Sequence, residues 1–204
     1  RDVAVASGEA DIAELREKST GRRVAFKYYR HGIIPDILAM EKLRGADKRY
    51  VVELIAFHSG ADGAWEIQEF CDFGALSQWV PGRGGRLDQT TLESVVRNLV
   101  DALSYLHGPG SEIAHRDLKP ANVLVRSEAP LVLVLADFGL AKAQQGMTNL
   151  TTTIKGSWHY AAPEVYSGVS TTKSARAYLG VILYEFYTGR SLFAMDDGTA
   201  VSDA

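Results

Sequence analysis

Apolar and polar residues alternate in short runs up to about residue 70 and then fall into a helical rhythm. From Asp2 to about Tyr29, "VAVASGEADIAEL" and "GRRVAFKYYR" predict a hairpin-rich sheet with a turn at Thr20 and Gly21. "IPDILAMEKLRG" has helical spacing, with Pro35 suited to a first turn and Gly45 to a stop. "YVVELIAFHSG" and "AWEIQEFCDFG" predict two more strands joined by the turn "SGADGA". Beyond Gly74, "TTLESVVRNLVDALSYLHG" puts Leu92, Val95, Val96, Leu99, Val100, Leu103 and Leu106 on one face. That pattern predicts an amphipathic helix of about five turns ending at Gly108. Two apolar runs, "ANVLVR" and "LVLVLADFG", flank the turn "SEAP", and "STTKSARAYLGVILYEFYTG" reads as a last helix. Strands first and helices later predict an α+β chain with two lobes. The expected division is a β-rich lobe with one helix over 1–70, a connector over 71–74, and a helical lobe over 75–204.

Composition narrows the possibilities. A chain of 204 residues that is 46% hydrophobic can bury a substantial core. Its net charge of -3 gives no basic field for nucleic acid or an anionic membrane. Cys71 is the single cysteine, which excludes an internal disulfide and fits a reducing, cytoplasmic setting. The longest apolar stretch, "PLVLVLADFGLA", is too short to span a bilayer and carries Asp137. Residues 1–20 are polar and acidic and predict no signal peptide.

The chemistry is concentrated in "HRDLKPANVL", His115 to Leu124, where Asp117, Lys119 and Asn122 stand close together before an apolar run. Fifteen residues after Asn122 comes Asp137 in "DFG", and then "APE" from Ala162 to Glu164. Upstream, "VAFK" sets Lys27 at a strand end before the first helix. Taken singly, such lysines and aspartates are mostly solvated surface; the ordered set is not accounted for that way. From about Val5 onward the chain resembles the catalytic domain of eukaryotic-like Ser/Thr protein kinases. Details such as "SGEADI" and "YYRHGI" resemble its bacterial members.

The resemblance implies a two-lobed fold and a phosphoryl transfer from ATP, with Mg²⁺, to a Ser or Thr hydroxyl of a protein substrate. Asp117 would accept the hydroxyl proton, and Lys119 would steady the transferred phosphate, a lysine typical of Ser/Thr rather than tyrosine kinases. Asn122 and Asp137 would bind the metal, and Lys27 the α- and β-phosphates. Gly8 and Ile12 fall where a glycine-rich loop covers the nucleotide. Glu69 and Cys71 fall in the hinge that meets adenine, with Gln68 as gatekeeper, and Asp36 where an acid pairs with Lys27. Arg116 would read a phosphate on the activation segment, where Thr148, Thr151, Thr152 and Thr153 are candidates.

Four departures bear on competence. Asp36 is one methylene shorter than the usual glutamate, with Glu41 the next acidic residue. The loop "ASGEADIA" keeps only Gly8. Ala175 stands where an aspartate anchors the catalytic loop. Only 40 residues follow Glu164, which suggests a shortened helical lobe. Apolar residues on several sides of the last helix (Leu179, Val181, Ile182, Leu183 and Phe186) would then be partly exposed and favour self-association. Two readings follow: an active Ser/Thr kinase, or a non-catalytic ATP-binding or interaction module, with a fragment of a larger kinase as a variant of the second.

Overall fold

The computed structural model describes residues 4–6, 10–30, 35–60, 62–143, 150–151, 160–161, 165, 169–170 and 172–193. The candidate residues Gly8, Thr148, Thr152, Thr153 and Glu164 lie outside them.

The first part is an antiparallel sheet of β1 (Ala4–Ala6), β2 (Ala10–Arg16), β3 (Arg23–Tyr29), β4 (Leu54–Gly60) and β5 (Gly63–Glu69), in the order β1-β2-β3-β5-β4. The alternation read from the sequence fixes its faces, since a one-residue slip would turn every side chain over. Ile12, Lys27, Glu66 and Phe57 lie opposite one another across four strands, and so share one face. The β4–β5 turn needs a glycine: Gly63 has φ 128°, and a Cβ there would lie 2.6 Å from the Tyr28 hydroxyl.

Helix α1 (Ile37–Arg44) packs Ala39, Met40 and Leu43 into the core. Asp36 is its N-cap and Gly45 its C-cap, so Pro35 precedes the helix instead of starting its first turn. After α2 (Leu76–Trp79) comes α3 (Gln89–His107), capped by Asp88 through Thr91 N. Its buried stripe is Val95, Leu99, Ala102, Leu103 and Leu106. Val100, expected on that stripe, is 43% exposed, because 100° per residue carries it off the face that Ala102 occupies.

Short strands then position the loops: β6 (Ile113–Ala114), β7 (Val123–Glu128), β8 (Leu131–Leu135) and β9 (Lys142–Ala143). A further ladder joins β10 (Leu150–Thr151) to β11 (Val169–Ser170), and α4 (Ala175–Thr188) closes the helical part. Val181, Ile182 and Phe186 of α4 are buried, and Leu179 and Leu183 pack against the core. Of the apolar residues expected to be partly exposed, only Leu179 and Leu183 are half-buried and the rest are buried; Tyr184 and Tyr187 are the large apolar residues of α4 that face outward.

One apolar cluster runs from Met40, Leu43, Val51 and Val52 through Leu99, Leu106 and Leu118 to Leu133, Leu135, Tyr178 and Ile182. The two lobes therefore share a core behind the site. The segment before β4 seals them: Val51 bridges Leu135 in parallel, Val52 N donates to Leu135 O at 2.9 Å, and Leu135 N donates to Tyr50 O at 3.0 Å.

Candidate active site

Two ladders dictate where the polar residues meet. β7 pairs with β8, and β6 pairs with β9. The loop between β6 and β7 holds Asp117, Lys119 and Asn122; the loop between β8 and β9 holds Asp137. Pairing both flanks forces the two loops side by side. Ala136 N donates to Asn122 O at 2.9 Å, and the His115 and Phe138 rings lie 4.8 Å apart.

The first loop is built around Asp117, whose residue is 2% exposed. Its Oδ2 meets Lys119 Nζ at 2.9 Å and accepts from Asn122 Nδ2 at 2.9 Å. Asn122 Nδ2 also donates to the Asp117 carbonyl at 2.8 Å. Pro120 starts the one-turn 3₁₀ helix Pro120–Asn122 that brings the amide back to the carboxylate. His115 fixes the loop from below. Its Nε2 lies 2.9 Å from the Ala136 carbonyl, so Nε2 carries the proton and donates. Its Nδ1 is then the acceptor for Asp117 N at 3.4 Å. Burial pushes the pKa of this imidazole down, which keeps the neutral tautomer in place.

Arg116 adopts φ 71°, a left-handed conformation unusual for a side-chain-bearing residue. Its carbonyl accepts from the Tyr178 hydroxyl at 3.3 Å. Burial lowers the pKa of its guanidinium, and Nε is buried with no hydrogen-bond partner among the described residues. Ala175 is buried at the start of α4, so it is Tyr178, one turn on, that reaches the loop backbone.

Lys27 is 1% exposed in the centre of the sheet, with its Nζ 4.8 Å from the Tyr29 ring centroid. The expected Lys27–Asp36 pair is corrected. The Asp36 Oδ1 accepts from Ala39 N at 2.9 Å as the α1 cap, and the carboxylate paired with Lys27 is Asp137. An N-cap carboxylate is turned back onto its own helix, which directs it away from the sheet. Asp137 itself has φ 60° and accepts from Gly139 N at 3.4 Å. A Cβ at Gly139 would lie 2.7 Å from the Tyr29 ring, so this glycine permits a close approach.

Ile12 lies opposite Lys27 and is half-buried. The Glu69 side chain is turned to other work: it pairs with Arg126 and accepts from Glu53 N at 2.8 Å, tying the sheet to β7. Cys71 is buried, and burial pushes its thiol up to about 12. Thr151 lies in the β10–β11 ladder, opposite Val169.

The motif reading passed over Glu66, Tyr29 and Tyr178. The signal for Glu66 is the alternation of "GAWEIQE", which puts Ala64, Glu66 and Gln68 on the buried side. Nothing local marks Tyr29 or Tyr178, whose contacts are made across more than 60 residues of sequence.

The chain is 28% identical over 207 residues to serine/threonine-protein kinase RAD53 of Saccharomyces cerevisiae, covering 91% of this chain and 24% of that protein. It is 32% identical over 181 residues to the probable serine/threonine-protein kinase zyg-1 of Caenorhabditis elegans, covering 87% and 25%. With the probable serine/threonine-protein kinase PknB of Lactococcus lactis it shares 34% over 138 residues, covering 67% and 21%. The chain thus spans about a quarter of the length of these relatives. A family model described as protein kinase domain matches residues 8–203, and with the paired loops and the lysine-bearing sheet in place the chain belongs to the protein kinase family.

Proposed function

We propose that the chain transfers the γ-phosphoryl group of ATP to a Ser or Thr hydroxyl of a protein. The observation that carries this reading is the buried Asp117 carboxylate, held between Lys119 Nζ and Asn122 Nδ2 beside the loop whose Asp137 meets Lys27. The donor set fits a magnesium–nucleotide complex. Asn122 spends its NH₂ on Asp117, which leaves the amide oxygen for a cation, and Asp137 adds a carboxylate. Among the described residues no three His, Cys, Asp or Glu cluster as a metal cage. Two oxygen donors suit Mg²⁺, which takes its other ligands from phosphates and water. Bound there, the ion would neutralise charge on the phosphates as it develops.

The protein's own residues do the rest. Lys27 holds the α- and β-phosphates, Ile12 covers the nucleotide, and the backbone at Glu69 and Cys71 meets adenine. Asp117 orients the substrate hydroxyl and takes its proton as the oxygen attacks phosphorus and the bond to the β-phosphate oxygen breaks. Lys119, at 2.9 Å from Asp117, neutralises the transferred group on its way. The same reading divides the chain into 1–70, 71–74 and 75–204, with Gly74 at φ 69° turning the connector toward α2. It gives Arg116 the task of pairing with a phosphothreonine among 151–153. No described helix is long and apolar enough to cross a membrane, and the buried single Cys71 suits a cytoplasmic setting. Self-association through α4 would rest on Tyr184 and Tyr187, the latter 61% exposed.

The test is a transfer assay and a Mg·ATP titration on the parent and three variants. Asp117→Asn keeps size and removes the proton acceptor; transfer should fall by about 10²–10⁴-fold with nucleotide affinity kept. Asp137→Asn and Lys27→Met should weaken both. A parent that binds Mg·ATP and transfers nothing would establish the non-catalytic module instead.

A further inference from the structure

On the nucleotide reading, Lys27 needs a carboxylate other than Asp137. The Lys27–Asp137 pair is weakened once Asp137 turns to a metal ion, because one carboxylate then divides its charge between two cations. The residue expected to take over, Asp36, is the cap of α1, and Glu41 lies on the exposed side of that helix.

We propose that Glu66, on β5, is the second carboxylate that positions Lys27, receiving its ammonium when Asp137 is taken by the metal. Glu66 is the direct cross-strand neighbour of Lys27, so the two side chains leave the sheet on the same face. Cβ atoms in such pairs lie about 5 Å apart. Lys27 is 1% exposed and Glu66 3%. Glu66 Oε1 is buried with no hydrogen-bond partner among the described residues. A buried carboxyl oxygen left in that state is costly; the Tyr29 hydroxyl also serves this carboxyl group, and the buried group of matching charge is the Lys27 ammonium. Burial pushes the Glu66 carboxyl above its ordinary value; the Lys27 charge and the Tyr29 hydroxyl pull it back, and the Asp137 charge adds to the rise. Glu66 would act through Lys27 and touch no phosphate, which makes it a positioning residue.

The experiment measures Mg·ATP affinity by titration, and KM for ATP and kcat by transfer, for Glu66→Gln, Glu66→Met and Glu66→Asp. Each is made in the parent and in the Lys27→Met background. Glu66→Gln and Glu66→Met should melt close to the parent, since without nucleotide Lys27 keeps its ion pair with Asp137 and no buried charge is left uncompensated. Both should weaken Mg·ATP binding by about tenfold, the scale of one lost charge-assisted contact. Glu66→Asp should restore part of it, and Glu66→Gln should change nothing further in the Lys27→Met background. A Glu66→Gln protein that binds Mg·ATP like the parent, or that loses the same affinity without Lys27, overturns the pairing and leaves the nucleotide reading standing. A folded parent that does not bind Mg·ATP overturns both.

Discussion

A carboxylate oxygen turned onto a helix terminus is not available to a lysine on a sheet, and Asp36 has made that choice by accepting from Ala39 N. Asp36→Ala should therefore act as the loss of a cap. We expect about 1 kcal/mol less stability by chemical denaturation, with Mg·ATP affinity within about twofold of the parent by titration, well short of the tenfold lost with a charge-assisted contact. A tenfold loss of affinity would return Asp36 to the lysine. The contrast with Asp117, Lys119 and Asn122 shows which residues the sequence made legible. Those three meet within one tight turn, where their spacing alone brings them together. Glu66 reaches Lys27 only through the register of β3 on β5, which depends on the 38 intervening residues that include α1 and β4. No local pattern carries that register, so the helix acid was read in its place.

At the level of elements, α4 supports the catalytic loop by a contact of opposite polarity to the one the resemblance suggested. An aspartate at position 175 would accept from loop amides; Tyr178 instead donates to the Arg116 carbonyl at 3.3 Å. The amide of Asp117 is served from within the loop, by His115 Nδ1. Tyr178→Phe should cost about 1 kcal/mol in denaturation experiments. Because Arg116 immediately precedes Asp117, kcat should fall while KM for ATP holds, a split that simple loss of folded protein would not give. The elements themselves were largely readable: the β4–β5 hairpin, the 19-residue α3 and the β7–β8 pair all fall on the predicted runs. Boundaries and faces were less so. The stripe of α3 shifted because Ala102 is too small to stand out as apolar beside Val100, and Pro35 moved outside α1 because Asp36 offered a better cap.

For the molecule as a whole, the shared core and its buried histidines set how stability responds to acid. His107, in the last turn of α3, is pushed down to about 4 by burial, with the charges of His115 and Arg176 acting in the same direction. Its folded pKa thus lies below the ordinary 6.5, so the unfolded chain takes up the proton first. Stability is complete above about 6.5 and is lost as pH falls toward about 4, and His115 contributes with the same sign. The melting temperature should drop between pH 7 and 5, and His107→Gln should flatten the slope; an unchanged slope would remove His107 from the account. The seam between the lobes has a mechanical consequence. Leu135 is bonded on both sides to residues 50–52, and Asp137 follows it by two positions. Any tipping of the sheet turns about that seam as a lever about its fulcrum, and displacement grows with distance from it. The far strands β1 and β2 would sweep the widest arc, and Asp137 would stay almost at rest. On the proposed function, a nucleotide would then be admitted or released by gape at the rim, and the aspartate that would hold its metal would keep its seat.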